Sequence, residues 1–285
     1  MTPSPSFPVA CPLRLLPALL FVTLSATATV GWASTVEDSE PPENKESMAP
    51  PSPTLSLPFA PAESFQLEVS YLGLPIGTIH ASIAAESEFE GAATWPLIAN
   101  ATTYPAFVLF PVKDRYVSWL DPKTKLSLGN ELLANENRVA RRERVRFDRV
   151  KNEATVRREG GKKPRSEKTH QLPLDAQDLL ATLYVMRALP LTVGDVIESP
   201  IFTGNKTFTM KATVIGKERL KTKVGTFDTK RVHVEVGFSG KLESKREIRI
   251  FFTDDARHIP VRIDAEFFLG TLAADLTSFE TGLGD

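Results

Sequence analysis

The stretch Phe65-Gln66-Leu67-Glu68-Val69-Ser70-Tyr71 sets Phe, Leu, Val and Tyr at every second position with polar residues between them. Successive side chains of an extended backbone point to opposite faces, so Phe65, Leu67, Val69 and Tyr71 share one apolar face and the segment reads as a half-buried strand. The pattern recurs downstream. Gly73 and Gly77 around Pro75 allow a bend before Thr78-Ile79-His80-Ala81-Ser82-Ile83. Tyr116 to Leu120 and Leu126-Ser127-Leu128 read as a hairpin across Asp121-Pro122-Lys123-Thr124, and Arg144 to Asp148 with Ala154 to Arg158 as another across Lys151-Asn152-Glu153. Further candidates are Phe208 to Ile215, Thr226 to Val236, Ser244 to Phe252, Ile259 to Phe268 and Thr271 to Phe279, punctuated by Gly216, Gly225, Gly237, Gly240 and Gly270.

One helix interrupts the alternation, over about residues 175–189. Asp175 is a suitable N-cap, Asp178 lies in the first turn where the helix dipole favours an anion, and Pro190 ends the run. Leu179, Leu180, Leu183 and Met186 fall at helical spacing and give an apolar stripe able to cover a sheet. The reading is therefore a mainly β protein. About ten strands form a strongly curved antiparallel sheet, a half-barrel or a barrel, with one packed helix. No composition break or repeat divides residues 63–285, which read as a single domain.

Ahead of that domain the chain changes character. Residues 1–33 carry one positive charge, Arg14, then an apolar run from Leu15, then small residues, which is the layout of a secretory signal. Small residues favour cleavage after Ala33 or after Ala28. The alternative is an uncleaved anchor, since Leu15 to Ala33 is 19 residues without a charge, although its second half is rich in Ser and Thr. Residues 34–62 hold little to bury and many prolines, including Pro50-Pro51-Ser52-Pro53, so they read as a disordered linker. The expected address is outside the cytosol, in the periplasm or cell envelope.

The only cysteine, Cys11, precedes the apolar run, so the exported part has no disulfide, thiolate metal site or cysteine nucleophile, and lipidation at Cys11 is not expected. The chain balances 34 basic against 35 acidic residues. No global field attracts nucleic acid or a membrane, so electrostatic preference must be local.

Three segments carry a family resemblance. The helical run from Asp175 through Leu-Pro-Leu-Thr-Val-Gly-Asp195, the strand Gly225-Thr-Phe-Asp-Thr-Lys-Arg-Val232, and the hairpin from Phe252-Thr-Asp-Asp to Ile-Pro-Val-Arg262 follow in order. Together they resemble the bacterial envelope proteins grouped as domain of unknown function 3108, over nearly all of residues 65–280. That resemblance implies no catalytic residues. The later strands are also similar in layout to the periplasmic lipoprotein-carrier half-barrels, where a curved sheet and a helix enclose acyl chains; this is a likeness of fold, which does not determine function.

Local chemistry is sparse. Between Arg138 and Lys168 there are 13 Lys/Arg and 5 Asp/Glu, and an extended backbone puts Arg142, Arg144 and Arg146 on one face with Val145 and Phe147 on the other. They are either a patch for phosphate or carboxylate groups of lipid or an anionic envelope polymer, or a solvated hairpin whose charges prevent aggregation. The run Tyr104-Pro105-Ala106-Phe107-Val108-Leu109-Phe110-Pro111 is either core or the lining of an apolar ligand site through Phe107, Leu109 and Phe110. Asp254, Asp255 and His258 crowd one turn, where aspartates suit turn chemistry. The chain holds no Gly-x-Ser-x-Gly, His-Glu-x-x-His or Walker sequence, and no cofactor or metal is expected. The leading expectation is non-catalytic binding of a lipid or other amphipathic envelope component. The alternatives are a scaffold that docks an envelope protein and an uncharacterised hydrolase; nucleic acid is not an expected partner.

Overall fold

A computed structural model describes residues 56–106, 111–162, 164–237, 247–267 and 270–282. The elements in chain order begin with β1 (Ser64–Tyr71), β2 (Leu74–Ile83), β3 (Ser87–Phe89), β4 (Ala92–Thr103), β5 (Lys113–Leu120), β6 (Ser127–Glu136), β7 (Val139–Asp148), β8 (Glu153–Gly160) and β9 (Ser166–Gln171). Then come α1 (Leu179–Arg187), β10 (Val196–Phe202), β11 (Thr207–Thr222), β12 (Gly225–Gly237), β13 (Glu247–Thr253), β14 (Pro260–Phe267) and β15 (Gly270–Glu280). One sheet holds them all. Its order is β10-β11-β12-β13-β14-β15-β1-β2-β4-β5-β6-β7-β8-β9, with β3 paired to β4 off the path. β15 meets β1 in mid-sheet (Val69 opposite Ala274), so β9 and β10, consecutive around the helix, become the two edges.

The curved, mainly β architecture with one helix expected from the alternation is the one observed, but with fifteen strands where about ten were expected. The extra strands lack a bulky period of two. Pro96 interrupts β4, whose inner face is partly made by Ala99 and Ala101; β9 reads Ser-Glu-Lys-Thr-His-Gln; and β10 contains Pro200. Proline and charge are both tolerated at sheet edges, which is where β9 and β10 lie.

The helix also differs from its expected form. Its N-cap is Asp178, not Asp175, and the Asp178 carboxylate accepts from the Leu180 and Ala181 N–H groups at 3.0 Å each. The reason is tertiary: Gln177 donates its N–H to Pro200 O and accepts from Phe202 N–H, so its backbone serves β10 and helical bonding starts one residue later. Nor is the apolar stripe the whole buried surface. Leu180, Ala181, Thr182, Leu183, Tyr184, Met186 and Arg187 are all buried, because α1 lies inside the curve of the sheet and is surrounded by it. The inner faces contribute Phe65, Leu67, Val69, Ile79, Leu97, Ile263 and Leu276 to the same core. Phe59, within the stretch read as linker, joins them, with its ring 5.1 Å from that of Tyr184 and edge-on to it.

The two sheet edges are brought together without a ladder between them. Phe202 of β10 is buried among Val145, Phe147, Ala154, Val156 and Leu172, with its ring 6.2 Å from Phe147 and 5.4 Å from His170. The Gln177 side chain accepts from Ser127 N–H and donates to Lys125 O, at 2.8 and 2.7 Å. Arg158 on β8 pairs with Glu143 and donates to Gly204 O and to Asn205, beyond the end of β10. Side chains thus close a seam that backbone bonds leave open.

Candidate functional site

The signal-like segment, Cys11, most of the linker, and Phe107, Leu109 and Phe110 lie outside the described residues. Among the described residues no helix is long and apolar enough to cross a membrane.

Arg142, Arg144 and Arg146 do share the outer face of β7, opposite Val145 and Phe147. Each is engaged. Arg142 donates two hydrogen bonds to Glu131, at 2.6 and 2.9 Å, and that carboxylate raises its pKa. Arg146 pairs with Glu90 at 3.4 Å. Arg144 lies 5.6 and 5.8 Å from the rings of Phe89 and Trp119, which stack on each other with centroids 4.2 Å apart. Arg141, Arg157, Arg158 and Arg165 pair with Glu136, Glu167, Glu143 and Glu159. The local basic excess is therefore much reduced by cross-strand and nearby acids that a linear count cannot assign.

Beside this hairpin the sheet forms an open groove of about 820 Å³. Asn100, Arg115, Leu133, Arg142 and Glu159 stand opposite one another on successive strands from β4 to β8, forming one row across the outer face. At roughly 4.8 Å per strand the row is about 19 Å long. Thr102 and Lys113 begin a parallel row nearer the strand ends, continued by Asn135 and Ala140. Leu133 is exposed in the middle. Lys113 and Arg115 have no ion-pair or hydrogen-bond partner among the described residues, so two uncommitted cations border an apolar spot. A second hollow of about 300 Å³ adjoins the groove at Tyr104, Pro105, Pro111 and Arg138.

On the inner side of the same strands Asp114 is almost fully buried. Its Oδ1 accepts from Asn135 N–H at 2.9 Å, while Oδ2 has no donor. Burial raises its pKa to about 6; the Asn135 bond opposes the rise, Glu136 adds to it and Arg141 opposes it. Folding thus binds a proton here between the ordinary value near 3.8 and about 6. The ionised form is the costly one, so this group's penalty is absent below the lower value and complete above the upper. Asp114→Asn is accordingly expected to stabilise the protein by about 1–3 kcal/mol at neutral pH and to give no gain below about pH 4. Urea unfolding of both proteins across that pH range measures it.

The carboxylates of the turn at Asp254, Asp255 and His258 are taken up by the turn itself and by a lysine of β11. Asp255 accepts from Thr253 Oγ1 and from the N–H groups of Arg257 and His258. Asp254 accepts from Lys217 Nζ, which holds its carboxyl below the usual range. His258 Nδ1 meets Arg187 O at 2.8 Å, tying the turn to the end of α1.

No curated protein matches the sequence. The fold is similar to the crystal structure of a beta-barrel-like protein of domain of unknown function DUF1849 from Brucella abortus, with TM-score 0.54 and 6% identity over 78% of this chain and 98% of that one. A candidate lipoprotein from Parabacteroides distasonis matches with TM-score 0.34 and 9% identity, over 79% of this chain and 99% of its own. A candidate exported protein with a YmcC-like fold from Bacteroides fragilis matches with TM-score 0.31 and 10% identity, over the same shares. The barrel-like architecture is thus a known one, and it brings no activity with it. The model of a family described as protein of unknown function (DUF3108) matches residues 66–277, most of the chain, and the protein belongs to that family.

Proposed function

We propose that this is an exported, non-catalytic envelope protein that holds an acidic amphipathic component, such as a lipid, in the outer groove across β4 to β8. The observation that carries the reading is the pair Lys113 and Arg115, uncommitted cations beside exposed Leu133 in a groove of about 820 Å³. That volume suits a ligand of lipid or drug size, and few polar groups are needed to orient one. Carriage inside the sheet is the weaker form of the idea, because α1 and its aromatic neighbours Phe59, Phe65 and Tyr184 occupy the interior. Export rests on the signal-like residues 1–33.

Protein purified from its native envelope is expected to release lipid on solvent extraction, read by mass spectrometry, and to bind a fluorescent fatty-acid analogue. Lys113→Ala with Arg115→Ala should weaken that analogue at least about tenfold, the worth of one or two charged hydrogen bonds, while the far-ultraviolet circular dichroism stays the same. No extractable lipid together with no bound analogue overturns the reading.

The filled interior favours a second reading, a scaffold whose outer face docks an envelope protein. A photo-crosslinker at Leu133 would then trap one reproducible protein in cells, and no lipid.

A further inference from the structure

Antiparallel strands gather alternate turns at one end, so the turns after β1, β6, β8 and β10 share a rim. The chain enters at the other rim, where Ala62 N–H donates to Ile83 O. At the first rim Leu72 and Leu74 are 64% and 70% exposed. Leu72 is held at φ +51°, and Arg138, in the turn after β6, at φ +64° following Asn137 at +51°. Left-handed backbone suits Gly or Asn and is costly for Leu or Arg. Two turns therefore carry, at a conformational cost, one exposed apolar and one exposed cationic side chain. Backbone strain of this kind points toward function when the side chains displayed have a common use.

Their surroundings supply that use. Exposed Val139 follows Arg138, and Arg138, Lys162 and Lys206 have no ion-pair partner among the described residues. Among the described residues the rim acids Glu136, Glu159 and Glu266 are paired with Arg141, Arg165 and Arg249, while Glu235 and Glu247 face each other across β12 and β13. The opposite rim also has apolar tips, Val150, Leu174 and Val193, and its cations Lys123, Lys125 and Lys221 have no ion-pair partner among the described residues either, but they share that rim with the acids Glu86, Glu88, Asp175 and Asp195, likewise without an ion pair. Charge, more than apolar exposure, separates the two ends.

We propose that the rim bearing Leu72, Leu74, Arg138, Val139 and Lys162 docks on an anionic lipid surface. The leucines enter the interfacial layer and the cations lie over acidic head groups, the combination that gives reversible surface binding. With the chain entering at the far rim, this end is left free to face a bilayer. The inference goes beyond the groove reading and uses none of Lys113, Arg115 or Leu133.

Vesicle sedimentation of the full chain tests it, with phosphatidylcholine vesicles lacking or containing phosphatidylglycerol. Half-maximal binding is expected at about tenfold less lipid when phosphatidylglycerol is present. The apolar run before Ala33 would bind both vesicles alike, so the variants decide. Leu72→Glu with Leu74→Glu should weaken binding to the anionic vesicles about tenfold. Arg138→Gly should weaken it too while raising the melting temperature, because glycine relieves the left-handed turn; a residue with a purely structural role would not move the two readouts in opposite senses. Val193→Glu, at the other rim, should change nothing. Equal binding to both vesicle types, wild-type binding by the double leucine variant, or an equal loss from Val193→Glu overturns the proposal. Lys113 borders the same hollow as Arg138, so the leucines separate the two readings: Leu72→Glu with Leu74→Glu leaves Lys113, Arg115 and Leu133 in place and should keep wild-type binding of the fatty-acid analogue.

Discussion

Glu63→Ala is expected to destabilise the protein by about 3–5 kcal/mol, read from the urea midpoint at unchanged slope. Arg187, at the end of α1, is fully buried, and its guanidinium donates to both oxygens of Glu63 at 2.6 and 2.8 Å. The same guanidinium lies 5.2 Å from the rings of Phe59 and Tyr184 and donates to the backbone oxygens of Arg257 and His258. Removing the carboxylate leaves a cation inside a packed core, and the loss is that of an uncompensated charge more than of one bond. Glu63→Leu with Arg187→Met should recover most of the stability, because apolar side chains of similar size can replace a buried pair at little cost. A double variant as unstable as Glu63→Ala would show that Arg187 is needed for its bonds to the turn after β13, independently of its charge.

The second large effect is expected at the seam. Phe202→Ala should cost about 3–5 kcal/mol, the range for emptying a fully buried aromatic site. Among the described residues Phe202 is the one β10 side chain in the cluster with Val145, Phe147, Ala154, Val156 and Leu172, and no ladder joins β9 to β10 to compensate. Hydrogen exchange should accelerate first in β8, β9 and β10, ahead of β1 and β15, which pair in mid-sheet. Uniform acceleration throughout would mean that the sheet stands or falls as one unit and that the seam is not its weak point.

Both effects concern places that local sequence does not mark. Glu63 precedes the first strand and Arg187 lies in the helix, 124 positions away, so neither announces the other. Phe202 follows Pro200 in a segment without alternation. The groove is hidden for the same reason. Asn100, Arg115, Leu133, Arg142 and Glu159 become neighbours only through the register of four separate ladders. The arginine hairpin, by contrast, was legible as a face, because alternation along one strand suffices to place Arg142, Arg144 and Arg146 together. What that reading lacked was their partners, Glu131 and Glu90 and the Phe89–Trp119 stack, which come from other strands.

By itself the sequence determined the class of this protein, since alternation, turn residues and one helical run depend on neighbours within a few positions. It also located Arg142, Arg144 and Arg146 on the outer face of their strand. Tertiary structure decided that the helix lies within the sheet, that β9 and β10 meet through Phe202 and Gln177, and that Lys113 and Arg115 stand beside Leu133 with no ion-pair partner among the described residues. Those outcomes depend on which distant strands pair and on which charges the pairing brings together. Only the tertiary arrangement of the strands supplies that information.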